Sequence, residues 1–344
     1  MQHRITQPSR LLDEDGELKQ KGYATSLLME YRREDVKACR FRLKEWDYYL
    51  IQSEGFALAL TVANNTYFGL ISASFIDLNS RKEKTTGILR VLPGKRLVLP
   101  ESSETGDIRY GDNRVKVAFL HENGGRHLYM VMKNFDKGTD LKVSVILSEP
   151  PRDSMVIATP FKEDRKAFYY NQKIIGMRAS GKVIFRGRTY EIKKENSFGL
   201  LDWGRGVWTY ENTWYWSAGQ GLVNGKVFGF NLGYGFGDTT AASENILFYD
   251  GTAHKLENVL FKIPQNRKSE FEYMKPWIFT SSDQRFEMKF IPVIDRNAYL
   301  SAGVISSDQH QIFGKFTGKA VLDDGTAIEV KDFPGFAERV TNRW

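Results

Sequence analysis

Cysteine is almost missing from this chain: Cys39 is the only one in 344 residues, which excludes an intrachain disulfide framework. The five histidines are scattered, and together with a single thiol they offer no metal-ligand spacing. No metal is therefore expected. There is no phosphate-cradling Gly-x-x-x-x-Gly-Lys loop, no Gly-x-Ser-x-Gly elbow and no His-Glu-x-x-His pair. Nucleotide-binding, serine-hydrolase and zincin chemistry lose their usual signatures, and no cofactor is expected. Apolar runs fall far short of the roughly twenty residues a membrane helix needs. The opening Met1-Gln2-His3-Arg4-Ile5 lacks the apolar stretch of a signal peptide. The expectation is a soluble cytoplasmic protein with no integral membrane segment.

Aromatic residues, by contrast, are plentiful at 13% of the chain, and such side chains suit pleated, half-buried strands. The net charge of +7 is concentrated in residues 151–195, which hold eleven Lys or Arg against five acids. Those cations alternate with apolar residues (Lys182, Arg186, Arg188, Lys193), the pattern of solvated strand faces rather than of a nucleic-acid patch. No nucleic-acid partner is expected.

From Trp46 onward the hydrophobic period is two. Short strands are predicted near Trp46–Gln52, Phe56–Val62, Tyr67–Leu78, Lys84–Leu92, Arg114–His121, His127–Lys133 and Leu141–Leu147. Turn pairs such as Pro93-Gly94 and Gly124-Gly125 separate them. A looser stretch with Pro150-Pro151 and Pro160 follows, and a second series of strands starts near Gly181. Phe75-Ile76-Asp77 and Phe248-Tyr249-Asp250 end comparable segments of the two series, a hint of two similar halves. No long amphipathic helix interrupts either half, although a short helix is expected around Ser26–Ala38. The fold class read here is all-β: two antiparallel β-barrels or strongly curved sheets packed together after a short irregular or helical N-terminal segment. The expected divisions are 1–45 for that segment, 46–178 for the first β unit and 179–344 for the second.

The densest chemistry lies in Leu200–Trp216, where four of the seven tryptophans (Trp203, Trp208, Trp214, Trp216) accompany Asp202 and Arg205. Taken as one strand, Val207–Ala218 places Trp208, Tyr210, Asn212, Trp214 and Trp216 on one face, apolar with polar handles, as ligand pockets are lined. Gly204 and Gly206 suggest a tight corner holding Asp202 and Arg205. Read as structure, that corner is an ion pair, and Asp202→Ala or Arg205→Ala is expected to lower thermal stability. Glu244, on a strand with Ile246 and Phe248, is a candidate general acid whose apolar neighbours would raise its pKa. His310 is placed on a face with Ile312, Gly314 and Phe316, as a third candidate catalytic group. Gly233, Gly235 and Gly237, at period two, fit close backbone approach or a barrel bend.

Leu201-Asp202-Trp203-Gly204-Arg205-Gly206-Val207-Trp208, with Asn231-Leu232-Gly233 and Glu244-Asn245, resembles a microbial family known as domain of unknown function 2804. Lys275-Pro276-Trp277, His310-Gln311-Ile312-Phe313-Gly314 and the ending Gly335-Phe336-Ala337-Glu338 support the resemblance, which spans nearly the whole chain. Thr209 stands where the family usually has Pro, and Tyr215 where it favours Asn. More distantly the layout is similar to double lipocalin-like proteins, a group that includes carotenoid hydratases. That similarity implies a two-barrel fold, an apolar ligand, and an Arg packed across a Trp as a plug. Trp203, Arg205, Trp208, Trp214, Trp216, Asn231, Asn245, Trp277 and Gln311 form the expected ligand-contact set, with Asp202, Glu244 and His310 as catalytic candidates.

Three functions are compatible with these residues. The first is binding of an apolar or amphipathic small molecule, of lipid or isoprenoid class, in an aromatic-lined cavity. An acid-catalysed hydratase, isomerase or cyclase would use the same site, with indole faces stabilising a cation. A glycan-active enzyme would pair Asp202 with Glu244. Failing all three, the tryptophans are simply core. The sequence leaves both catalysis and oligomeric state open.

Overall fold

The computed structural model describes residues 2–302 and 305–343. It is nearly all β, with three single-turn 3-10 segments among the described residues: Arg33–Asp35, Arg40–Arg42 and Gly94–Arg96. Two strongly curved antiparallel sheets, of thirteen and nine strands, pack against each other. Consecutive hairpins Leu43–Ser53, Phe56–Asn64, Phe68–Asp77 and Lys82–Val91 form one wing of the first sheet. Its other wing runs outward through Phe198–Val207, Phe168–Phe185, Thr139–Ser148, Gly125–Asp136, Val115–Glu122 and Ile108–Gly111. In the second sheet Glu211–Val223 lies between Lys226–Tyr234 and Ala327–Arg343, with Ile305–Val321, Phe286–Ala302, Trp277–Ser281 and Val259–Lys262 beyond.

The expected boundary at residue 178 falls inside the Phe168–Phe185 strand. Phe198–Val207 then pairs with both Phe168–Phe185 and Leu43–Ser53, so the chain leaves the first sheet only between Val207 and Glu211. The physical reason is closure. The first sheet curls by receiving a strand from far along the chain, a long-range pairing that no local composition marks. The helix expected around Ser26–Ala38 is reduced to the single 3-10 turn Arg33–Asp35. Met29–Glu30 instead pairs in parallel with Ser9–Arg10, and Met29 and Tyr31 are drawn into the core.

Side chains alternate between two apolar environments, the concave interior of a sheet and the seam between the sheets. In Phe198–Val207 every residue is buried, because both faces of that strand are covered. One apolar cluster fills the first sheet and runs across the seam through Trp216, Ala218, Phe313 and Phe336. A second, rich in phenylalanine (Phe228, Phe230, Phe279, Phe290, Phe316), fills the second sheet. A bulge between Ile174 and Met177 helps tie the sheets together. Gly176 takes a φ of 87° there, and its N–H donates across the seam to Gln220 Oε1 at 3.0 Å.

Candidate functional site

The segment Asp202–Gly206 is not a corner. It is extended and lies within the Phe198–Val207 strand, so its side chains divide between the strand's two faces. Trp203 and Arg205 point into the first sheet, whereas Asp202, Gly204 and Gly206 face the seam. The glycines are there for space. A Cβ on Gly204 would land inside the Trp46 indole, whose residue is its cross-strand partner, and one on Gly206 would lie 2.6 Å from Phe168 O. Gly204→Ala is therefore expected to cost about 1–3 kcal/mol by overpacking, read as a lowered melting temperature, while an unchanged melting temperature would show that Trp46 moves aside freely.

Arg205 is completely buried, and its guanidinium is satisfied on every side. Nη1 donates to Trp46 O (2.8 Å) and Gly204 O (2.7 Å), and Nη2 to Pro100 O (2.7 Å) and Asp47 Oδ1 (3.1 Å). Glu45 Oε1 lies 3.9 Å from Nε, and the guanidinium carbon stands 4.4 Å above the Trp203 ring. Burial pushes the Asp47 carboxyl above the usual carboxylate range, and Arg205 opposes that rise. This is the Arg-on-Trp plug expected from the lipocalin likeness. Its partner is not Asp202, as the supposed corner suggested, but Asp47 and Glu45 of the neighbouring strand.

Asp202 opens instead into a cavity of about 240 Å³ in the seam, just below the usual range for small-molecule sites. Trp46, Tyr169, Trp208, Trp214, Trp216 and Phe236 wall it. Their rings meet edge to face, with Trp46–Trp208 centroids 5.3 Å apart, Trp208–Phe236 4.9 Å and Trp214–Phe236 5.4 Å.

Three carboxylates and two cations (Lys173 and Arg296) share this aromatic box. Lys173 Nζ pairs with Asp202 Oδ1 at 2.8 Å and sits 4.0 Å over the Trp216 ring. Asn171 Nδ2 also donates to Asp202 Oδ1, at 2.6 Å. Glu244 is positioned by Asn231, whose Nδ2 donates to Glu244 O (2.9 Å) and Oε2 (3.2 Å) while its Oδ1 accepts from Trp216 Nε1 (2.7 Å). Burial raises the Glu244 pKa, and Lys173 and the Asn231 hydrogen bond hold it back. Glu338 is the third carboxylate. Its Oε1 accepts from Trp214 Nε1 (2.7 Å) and its Oε2 from Gln311 Nε2 (2.8 Å), yet burial pushes its pKa up to about 7. Gln311 is fixed in turn by Arg296, whose Nη1 donates to Gln311 Oε1 at 2.6 Å.

Of the residues singled out from sequence, Asp202, Glu244, Trp208, Trp214, Trp216 and Gln311 line this cavity, and Asn231 stands directly behind its wall. Trp208 reaches it from the connection between the sheets, not from the Trp214–Trp216 strand, which begins at Glu211. Tyr210, expected on the same face, is exposed. Glu244 precedes the strand Ile246–Tyr249 rather than lying on it. Asn245 fixes the loop by accepting from Gly233 N–H and donating to Glu257 O. Trp277 lies in the second sheet's own core, its Nε1 donating to Tyr273 O. His310 sits on the opposite strand face from Gln309 and Gln311, bonded to Asp295 Oδ2 (2.7 Å) and stacked on Tyr273. Neither Trp277 nor His310 borders the cavity, because strand alternation and curvature turn both away.

Sequence reasoning missed Lys173, Glu338, Arg296, Trp46 and Tyr48. A faint signal existed for two of them. Lys173 stands in the otherwise apolar run Lys173-Ile174-Ile175, and Glu338 shares strand parity with Phe336 and Val340. Among the described residues no group of three or more His, Cys, Asp and Glu could hold a metal, and no helix is long and apolar enough to cross a membrane.

Two curled sheets packed across a seam make a double lipocalin-like fold. The chain belongs to the domain of unknown function family DUF2804, whose model matches residues 2–344. A crystal structure described as an AttH protein of Nitrosomonas europaea is similar in fold, with a TM-score of 0.54 at 12% identity, covering 92% of this chain and 96% of that one. Kievitone hydratase from Nectria haematococca aligns over 88% of each chain with a TM-score of 0.48 and 10% identity. No curated protein matches the sequence.

Proposed function

We propose that this protein acts in the cytosol, binding in the seam pocket a small molecule with an apolar body and one polar group. What supports this reading is a set of four indoles and a phenylalanine facing a cavity whose polar groups come from both sheets. A ligand there would bury its body against Trp46, Trp208 and Trp214 and turn its polar group toward Lys173 and Glu338. Binding is tested by tryptophan fluorescence titration with farnesol and with decanoic acid. A saturable change is expected for at least one probe, and Trp214→Ala should weaken it by about tenfold or more. Absence of any saturable change with either probe, alongside saturable quenching by simple sugars, would refute the apolar reading in favour of a glycan site.

The position of Glu338 favours a second reading, acid–base catalysis on the bound molecule. A carboxyl that titrates near neutrality inside an apolar box suits a general acid. It would protonate a double bond or carbonyl of the ligand, with indole faces stabilising the cation that forms. Hydration, isomerisation and cyclisation all begin with such a step. Asp202, held by Lys173 and Asn171, is less free for the glycosidase role.

A further inference from the structure

Several of the most exposed large apolar side chains lie on strands that line the seam pocket or pair with one that does. Among the described residues, the five most exposed large apolar side chains are Val91 (82%), Tyr299 (75%), Leu92, Leu89 and Val98. All five, with Leu300, sit on two features that start at the pocket wall. The first is the end of the Lys82–Val91 strand and the loop after it. Leu70 lines the pocket and is the cross-strand partner of Leu89, so Leu89 and Val91 continue the pocket-facing side of the first sheet into solvent. The second is the hairpin of Phe286–Ala302 and Ile305–Val321. Gln309 lines the pocket and pairs with Ala298, so Leu300 extends the same face on the second sheet, whereas Tyr299 projects from the other face, opposite Asp308. Scattered exposed leucines need no explanation, but Leu89, Val91 and Leu300 prolonging the two pocket-facing sides do.

Charge identifies what covers this surface. Between Leu92 and Val98 the single-turn segment Gly94–Arg96 presents Lys95 and Arg96, both exposed and, among the described residues, in no ion pair. Asp308, the acid opposite Tyr299, is turned toward His310, with Oδ1 3.5 Å from Nε2. Apolar side chains interleaved with unpaired cations match an anionic bilayer, into which the former insert while the latter meet headgroups. A second copy of the chain fits less well. Lys82–Val91 is a sheet edge, but Lys82, Lys84 and Arg90 along it oppose strand-to-strand pairing.

We infer that the pocket mouth docks on an anionic membrane surface through Val91, Leu92, Lys95, Arg96, Val98 and Leu300. Docking would open the pocket directly onto the lipid phase, giving an apolar ligand a route that avoids water. The inference does not depend on what the pocket holds.

The test is co-sedimentation of the full-length protein with phosphatidylcholine vesicles, with and without phosphatidylserine. Binding is expected only with phosphatidylserine, and it should weaken as salt is raised. Both Val91→Glu/Leu92→Glu and Lys95→Glu/Arg96→Glu should lower the apparent affinity by roughly tenfold or more while leaving the melting temperature unchanged. Equal partitioning onto both vesicle types overturns the inference, as does a Val91→Glu/Leu92→Glu protein that binds like the parent. Dimers that this double variant dissolves, with no vesicle binding by the parent, would identify the patch as a self-interface and equally overturn it.

Discussion

Arg205→Met is expected to lower the free energy of unfolding by about 3–5 kcal/mol, the cost of removing one partner from a buried ion pair. The guanidinium is wholly inside the first sheet and serves Asp47, with Glu45 nearby and three backbone carbonyls accepting from it. Methionine fills most of the volume but donates nothing. Asp47 already sits in surroundings that raise its pKa and would lose the cation that opposes the rise. The orphaned carboxylate, more than the lost attraction, sets the size of the effect. Arg205→Met/Asp47→Asn should therefore recover part of the loss, since the amide carries no charge. Urea denaturation followed by far-UV circular dichroism measures both. A loss under about 1 kcal/mol for Arg205→Met would mean that water reaches the plug and solvates what remains.

Glu338→Gln should remove a pH dependence of comparable size. The carboxyl has an ordinary value of 4.5 in an unfolded chain and titrates at about 7 in the folded one. Between those values the folded state keeps a proton that the unfolded state has lost. Stability from this group is therefore highest at low pH, falls as pH rises from about 4.5 to 7, and stays low above that. The full penalty at alkaline pH is on the order of 3 kcal/mol. Glutamine has no charge to desolvate, so the variant gains on the parent across this window. Glu244 is shifted in the same direction but is present in both proteins, so the comparison cancels it. Parallel stability curves for parent and variant from pH 4.5 to 8 would mean that Glu338 is as well solvated as a surface carboxylate and unsuited to donate a proton at neutral pH. Binding measured on the same pair separates the roles: if Glu338 is an acid rather than an anchor, farnesol affinity survives the substitution.

How far the site could be read in advance depends on how locally each part is encoded. Trp214 and Trp216 share a face because they are two apart on one strand, and alternation alone reveals that. Asp202 and Arg205 drew notice through their composition, but the wrong geometry was attached to them. Glycines read as a turn were in fact clearances for Trp46 and for the Phe168 carbonyl, and nothing near residue 204 in the chain announces a ring contributed from residue 46. Trp277 had the composition of a pocket residue and the location of a core residue. His310 was assigned a plausible face, but which face looks onto the seam is decided by strands that pair with it from far along the chain.

Period-two hydrophobicity, abundant aromatics and the want of cysteine and metal-ligand clusters were enough to determine an all-β protein of two curved units with an indole-rich middle. These are local properties, because strand parity and side-chain type need no knowledge of the rest of the chain. Tertiary structure alone decided that Phe198–Val207 closes the first sheet, that Arg205 answers to Asp47 while Asp202 answers to Lys173, and that burial pushes the Glu338 carboxyl up to about 7. The first rests on strands paired over more than a hundred residues, as does the Arg205–Asp47 pair of the second, and the third rests on burial among side chains from both sheets. The energy of a buried charge is set by what surrounds it in space, which a linear sequence does not specify.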